Sequence, residues 1–131
     1  MIVLAVTLSD QLVVRLFKNV FKRYRPSHNL NIQNIVHIVN GHAGGQYGFI
    51  SNHASNAFVI VVFISILFRQ KNKFLSYLMF AWALLIMYSR VYLGVHYPMD
   101  VICGALFGSF IGFLIWKLYF YTDKKIFPSH E

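Results

Sequence analysis

Basic and histidine side chains recur in three polar segments of this chain, which are separated by long apolar stretches. Lys18, Arg25 and Arg90 carry positive charges that suit the oxygens of a phosphate group. His53 and His96 can exchange protons near neutral pH, and an imidazole nitrogen can also attack phosphorus. Together these side chains predict a site that binds a phosphate group and cleaves it from a larger molecule.

The third polar segment contains Arg90, His96 and Asp100. His96 and Asp100 are four residues apart, so they share a face if the segment is helical. A carboxylate bound to one imidazole nitrogen would fix the tautomer and leave the other nitrogen free to attack. Pro98 favours the first turn of a helix over its middle. The alternative for this segment alone is an interfacial loop in which Asp100 caps a helix.

The first polar segment contains Lys18 and Arg25, which are seven residues apart and would lie on one face of a continuous helix. Pro26 would then stop or bend that helix. The simpler alternative is a basic cluster that contacts lipid headgroups. Lys22 and Arg23 are interpreted as members of such a headgroup-contacting cluster.

The second polar segment, Ser51, Asn52 and His53, directly precedes an apolar run. Ser and Asn favour helix starts, and the free N–H groups of a helix start suit a phosphate. The alternative is an ordinary helix cap with a histidine facing solvent. Taken together, the three segments favour a functional site over these separate alternatives, because ionisable residues near membrane helices are costly and tend to mark function.

Four apolar runs fill most of the remaining sequence, at residues 1–17, 54–68, 74–88 and 101–121. The 131 residues are 57% hydrophobic and 12% charged, which exceeds the apolar content of a soluble domain. A membrane span needs about 20 mostly apolar residues, and the fourth run meets that length. We therefore predict an all-α integral membrane helical bundle with four transmembrane helices, in a single domain over residues 1–131.

Alternation of four helices across a membrane would bring all three polar segments to one side. Residues 18–50 form a long polar loop on that side, with a short helix expected near residues 32–39, and loops of this length are usually functional. If the cations assigned to phosphate are not counted, more positive charge lies on the side of Arg69, Lys71 and Lys73, which is therefore assigned to the cytoplasm. The site is then expected to face the periplasm or the cell exterior.

The net charge of +8 does not indicate nucleic-acid binding, because the basic residues lie near helix ends and no nucleic-acid module is recognisable. We also expect no metal and no cofactor, since Asp100 is the only acid near five cations. Asp10 is expected to pair with Arg15 or with a neighbouring helix. The remaining histidines are treated as ordinary loop residues, some lining the entrance: His28, His37 and His42. Cys103 is expected to be a packing residue.

The three segments resemble the motifs of the type 2 phosphatidic acid phosphatase superfamily, which also includes vanadium-dependent haloperoxidases. The family pattern is K-x6-R-P, then P-S-G-H, then S-R-x5-H-x3-D. Residues 18–26 and 89–100 match the first and third motifs in type and spacing. The middle motif reads Ile50-Ser51-Asn52-His53, without the proline and glycine of the family.

The resemblance implies that His96 is a nucleophile that forms a phosphohistidine, that Asp100 orients it, and that His53 is the general acid. It also implies a set of phosphate-binding groups: Lys18, Arg25, Arg90, the hydroxyl of Ser51 and the backbone N–H of Asn52. The implied activity is metal-independent hydrolysis of a lipid phosphate or a polyprenyl diphosphate. The substrate would come from membrane lipids, and the motifs do not choose among polyprenyl diphosphate, lipid A, phosphatidylglycerol phosphate and phosphatidate.

Two departures from the family qualify this interpretation. Membrane members usually have six helices, so two helices before the first motif would be missing from this chain. Asn52 replaces a glycine that allows unusual backbone angles, which asparagine tolerates better than most residues, and Ile50 replaces a proline that would stiffen the turn. An alternative function is an inactive remnant that binds anionic lipid or a partner protein through its basic face. A metal-dependent hydrolase is a third possibility.

Overall fold

The computed structural model describes residues 1–126 except positions 33, 42, 43 and 70. The regular secondary structure of this described part is helical, which confirms the all-α prediction. Helix α1 (Ile2–Leu12) continues through a π-helical stretch (Val13–Lys18) and a last α-turn (Asn19–Phe21). The other long helices are α2 (Asn52–Leu67), α3 (Lys73–Tyr92) and α4 (Pro98–Ile126). His42 lies outside the described residues.

All four predicted apolar runs form helices, but they differ in their capacity to cross a membrane. Two segments, Lys73–Tyr92 and Pro98–Asp123, are long and apolar enough to span one. Helix α2 is apolar but has only 16 residues, and α1 is interrupted by the π-helical stretch. Four transmembrane helices therefore stay a prediction.

Local sequence sets the starts of the helices. The Oγ of Ser51 accepts a hydrogen bond from the backbone N–H of Ala54 at 3.4 Å and caps α2. The side chain of Asn72 caps α3 in the same way, through the N–H of Leu75 at 3.1 Å. Pro98 is the first residue of α4, where its missing N–H costs no hydrogen bond.

The helix that carries Lys18 ends at Phe21, before it reaches Arg25. Lys22 follows Phe21 with φ of 45° in the left-handed region, which breaks the helix. Arg25 is extended, with φ of −65° and ψ of 158°. The prediction that Lys18 and Arg25 share one helical face is therefore wrong, and tertiary contacts must position Arg25.

Helices α2 and α4 pack backbone against backbone through glycines of α4. A Cβ on Gly104 would lie 2.6 Å from the carbonyl oxygen of Ser51, and one on Gly108 would overlap the carbonyl oxygen of Ser55. Small residues at four-residue spacing allow this close approach in membrane helices. The N–H of Ser51 also donates to the carbonyl oxygen of Asp100 at 3.0 Å. The starts of α2 and α4, which carry predicted catalytic residues, are thus held together.

The loop between α1 and α2 folds back on itself. The N–H of Arg25 donates to the carbonyl oxygen of Gln46 at 3.1 Å, and the N–H of Gly48 donates to that of Arg23 at 2.9 Å. Tyr24 and Tyr47 pair between these two bonds as an isolated antiparallel bridge. We call residues 23–25 and 46–48 the loop bridge. The expected helix near residues 32–39 is absent from the described residues there, which form turns followed by a 3₁₀ helix at Val39–Gly41.

Candidate active site

His96 and Asp100 lie side by side and are almost completely buried, with side-chain exposures of 1% and 0%. His96 is in the short connection before α4, and Asp100 is in the first turn of α4. The Nδ1 of His96 is 3.7 Å from Oδ2 of Asp100, which is longer than a hydrogen bond, and Nδ1 has no hydrogen-bond partner. The structure therefore brings the predicted pair together without the predicted hydrogen bond.

Both carboxylate oxygens of Asp100 have other partners. Oδ2 accepts from the backbone N–H of Tyr97 at 3.0 Å, and Oδ1 accepts from Nη1 of Arg23 at 2.9 Å. The guanidinium of Arg23 also lies 4.4 Å from the centre of the Tyr97 ring, a cation–π contact. The sequence assigned Arg23 to lipid headgroups, whereas the structure pairs it with the carboxylate predicted to orient His96.

The loop bridge explains how Arg23 and Arg25 both reach the site. Residues two apart in an extended segment point the same way, and residues 23–25 are extended here. The Nε of Arg25 donates to the carbonyl oxygen of Tyr47 at 3.3 Å, and its Nη1 to that of Val95 at 3.5 Å. Partial burial lowers the pKa of Arg25, and the nearby carboxylate of Asp100 opposes that shift. Arginine nevertheless stays protonated in proteins, so Arg25 remains a cation available to an anion.

Gly48 is a site residue that sequence reasoning missed. A Cβ at this position would lie 2.9 Å from Cγ of Arg25 and 3.5 Å from both Oδ2 of Asp100 and Nδ1 of His96. The backbone of the loop bridge therefore lies against the histidine–carboxylate pair, and a side chain at position 48 would be crowded by Arg25. The sequence signal that could have identified it is its position in the glycine-rich stretch of residues 41–48.

The remaining predicted cations and His53 surround the same pair. His53, half-buried in the first turn of α2, lies within electrostatic range of four site residues: Arg90, His96, Arg25 and Lys18. Arg90 is in the last turn of α3, where its Nε donates to Oγ of Ser89 at 3.2 Å. Lys18 lies in the π-helical stretch and interacts electrostatically with Arg25 and Asp10. The structure thus gathers the predicted cations and both histidines at one end of the bundle.

Ser51 and Asn52 are placed differently from the other predicted phosphate-binding residues. Ser51 is fully buried and its Oγ is used as the cap of α2. The amide of Asn52 donates to Oδ1 of Asp10 in α1, and that of Asn56 donates to the same oxygen at 3.5 Å. The prediction that Asp10 pairs with a neighbouring helix is therefore confirmed. Lys22 is the only non-glycine residue with positive φ in the described ranges, so Asn52 does not use the left-handed backbone that glycine would allow.

The environment of His96 favours its neutral form. Burial is the largest influence and lowers the pKa of His96 below its ordinary value of 6.5. Asp100 opposes this shift, while the positive charges of Arg25 and Lys18 reinforce it. A neutral imidazole has the free electron pair that a nucleophile requires, so this environment suits attack on phosphorus.

A cleft of about 760 Å³ lies on the side of Arg23 and Tyr97, with neither His96 nor Asp100 in its lining. It shares Arg23 and Tyr97 with the surroundings of Asp100, and the rest of its lining includes Tyr24, Asn29, Asn31 and Gln46. His28 also lines the cleft, whereas His37 is exposed elsewhere in the loop, and their expected place at the entrance stays a prediction. Within the described residues, no three His, Cys, Asp or Glu side chains form a group that could hold a metal ion.

Comparison with known proteins gives a consistent result. The profile of a family described as the PAP2 superfamily matches residues 1–124. The chain is 40% identical to a lipid A 4'-phosphatase of Porphyromonas gingivalis and 41% identical to one of Bacteroides thetaiotaomicron, with 95% and 94% of the chain aligned. An undecaprenyl-diphosphatase of Bacillus subtilis is 31% identical over 66% of the chain and 42% of its own length. The chain spans about half of the two lipid A 4'-phosphatases, 52% and 53% of their lengths. No solved structure matches it.

Proposed function

The chain belongs to the PAP2 superfamily, and on that basis we propose that it hydrolyses a lipid phosphate or a polyprenyl diphosphate without a metal ion. The observation that carries this proposal is the buried pair of His96 and Asp100, with Arg25 and His53 around it. The lipid A 4'-phosphatase and undecaprenyl-diphosphatase relatives support the same class of reaction.

The first step would transfer the phosphoryl group to His96. Because Nδ1 of His96 faces Asp100, Nε2 is the nitrogen that would attack phosphorus, and the P–O bond to the lipid would break as the P–N bond forms. His53 would donate a proton to the leaving oxygen. Lys18, Arg25 and Arg90 would stabilise the negative charge on the three remaining phosphate oxygens.

The second step would release phosphate. A water molecule, deprotonated by the now neutral His53, would attack phosphorus and break the P–N bond, which returns His96 to its neutral form. Asp100 would stabilise the positively charged imidazole of the phosphohistidine, since its Oδ2 lies 3.7 Å from Nδ1. Arg23 and the N–H of Tyr97 would hold that carboxylate in position.

The substrate would reach this site from a membrane surface. Helices α3 and α4 are long and apolar enough to span a bilayer, and α3 is exposed over most of its length. We therefore place the chain in a membrane as a single domain with the site at one surface. Its orientation toward the periplasm or exterior follows from the basic residues at the opposite helix ends and stays a prediction.

Phosphate release by the purified protein tests this function. The protein in detergent with EDTA should release phosphate from lipid A or from undecaprenyl diphosphate. His96→Ala should reduce the rate at least about 1,000-fold, because no other group replaces the nucleophile. His37→Ala, an exposed histidine outside the site, should leave the rate unchanged. Equal rates for the protein and His96→Ala would support the inactive remnant, and full inhibition by EDTA would support a metal-dependent hydrolase.

A further inference from the structure

A groove at the end of the bundle opposite the candidate active site takes no part in the proposed reaction. It has a volume of about 290 Å³ and lies where α2 ends and α3 begins. His53 is in the first turn of α2 and Arg90 is in the last turn of α3, so the length of both helices separates the groove from the candidate active site. The groove is lined by Arg69, Lys73, Ser76, Tyr77 and Phe80.

The outer end of the groove is cationic. Within the residues that the structure describes, both ion pairs involve Asp100, so the side chains of Arg69 and Lys73 have no acidic partner. Ser76 adds a half-buried hydroxyl, and the positive end of the α3 dipole lies at the same place. Two unpaired cations and a hydroxyl are the groups that bind the oxygens of a phosphate.

The inner end of the groove is aromatic. Tyr77 and Phe80 follow Lys73 by four and seven residues, so the three side chains share one face of α3. The ring of Phe80 meets that of Phe58 on α2 edge to face, with centroids 6.2 Å apart, which joins this end of the groove to α2. Tyr77 and Phe80 are still 73% and 39% exposed, so both can contact an apolar ligand. The groove therefore offers a phosphate site followed by an apolar surface, which is the order of headgroup and acyl chain in a phospholipid.

The length of α2 brings this groove to the level of lipid headgroups. The 16 residues of α2 span about 24 Å, whereas the hydrocarbon core of a bilayer is about 30 Å thick. A short helix is accommodated by local thinning of the bilayer and by basic side chains that extend to the interface. Thinning at the end of α2 would place lipid phosphates beside Arg69 and Lys73.

We propose that this groove is a binding site for one anionic phospholipid, separate from the site of hydrolysis. The lipid phosphate would lie between Arg69 and Lys73 and accept a hydrogen bond from the hydroxyl of Ser76. One acyl chain would follow Tyr77 and Phe80 into the membrane. A free phosphate ion would leave the aromatic end of the groove uncovered, so the amphipathic lining favours a lipid. This inference does not depend on the proposed phosphatase activity.

Titration of the purified protein in detergent with phosphatidylglycerol, followed by native mass spectrometry, tests the site. Arg69→Gln and Lys73→Gln should each weaken binding about 5-fold, the usual contribution of one basic side chain near an anionic lipid. Lys71→Gln is the matched control, because it removes the same charge from an exposed residue of the same connection outside the groove. It should keep the affinity within about 2-fold. Equal weakening by all three substitutions would overturn a defined site and indicate general attraction to basic residues.

Two further measurements identify the ligand. Phosphatidylcholine with the same acyl chains should bind more weakly than phosphatidylglycerol, because its headgroup has no net charge, and equal binding of the two lipids would overturn recognition of an anion. Tyr77→Ala should weaken phosphatidylglycerol binding at least about 3-fold, because apolar contact with the acyl chain is lost. An unchanged affinity for this variant would show that the groove recognises phosphate alone and would overturn the lipid site. The candidate active site is the same in every variant, so lipid bound there does not affect the comparison.

Discussion

Replacing Gly48 by alanine would test whether the backbone of the loop bridge sets the geometry of the site. The new Cβ would lie 2.9 Å from Cγ of Arg25, whereas carbon atoms normally approach to about 3.5–4.0 Å. Arg25 would have to move by at least about 0.6 Å, the difference between 2.9 Å and the lower limit of that range. Its hydrogen bonds to the carbonyl oxygens of Tyr47 and Val95, at 3.3 and 3.5 Å, are already long and would break first.

The expected loss follows from these distances. Overpacking of this size costs about 1–3 kcal/mol of stability. A shift approaching 1 Å in a group that positions substrate can reduce a rate by about 100-fold. We therefore expect Gly48→Ala to lower kcat/KM about 10- to 100-fold. The measurement is the initial rate of phosphate release from lipid A, per amount of monodisperse protein in detergent.

Gly45→Ala is the matched control for this prediction. Gly45 is in the same glycine-rich stretch, its φ is outside the left-handed region, and no heavy atom lies within 4 Å of the position of its Cβ. Both substitutions reduce the freedom of the unfolded chain equally, so that effect cancels in the comparison. Gly45→Ala should keep the rate within about 2-fold, a surface-substitution effect. Equal rates for the two folded variants would refute the proposed role of the loop bridge.

Two further predictions concern the charges around His96. Arg23→Gln should lower kcat about 10-fold with both lipid A and undecaprenyl diphosphate, because the buried carboxylate of Asp100 loses its 2.9 Å partner. Arg23→Lys should recover part of this loss, and the control Lys22→Gln should leave kcat unchanged. A change in KM without a change in kcat would contradict a positioning role for Arg23. The pH profile of kcat/KM should keep its activity below pH 6.5 and fall only as pH drops through the lowered pKa of His96, because protonation removes the attacking electron pair. If activity instead began to fall at a pH above 6.5, and His53→Ala showed the same fall, His96 could not be the group whose protonation lowers the rate.

Features that depend on local sequence were predictable. The four helices follow from the apolar runs, and His96 lies close to Asp100 because four residues separate them at the start of α4. The shared location of the three motifs follows from helix alternation, and the contacts of Asp100 with Arg23 and Ser51 agree with it. These features need only the period of a helix and the order of the elements.

Features that depend on the loop between α1 and α2 were not predictable. Arg23 and Asp100 are separated by 77 residues, and no local signal distinguishes Arg23 from Lys22 as a partner of a buried carboxylate. The role of Gly48 depends on the antiparallel pairing of Tyr24 with Tyr47, which has no periodic pattern in the sequence. The polar character of this loop was visible, but polar residues without periodicity do not define a path for the backbone.

The hydrogen bonds of Asp10 give a structural role to Asn52, the residue that departs from the glycine of the family motif. The asparagine that replaces the glycine of the family donates to a carboxylate on α1, beside the amide of Asn56. A carboxylate between apolar helices needs such donors, so the acid at position 10 depends on the amide at position 52 across two helices. A glycine at this position would leave Asp10 with the 3.5 Å hydrogen bond from Asn56 and the electrostatic attraction of Lys18, so the acid of the first helix would be less well compensated.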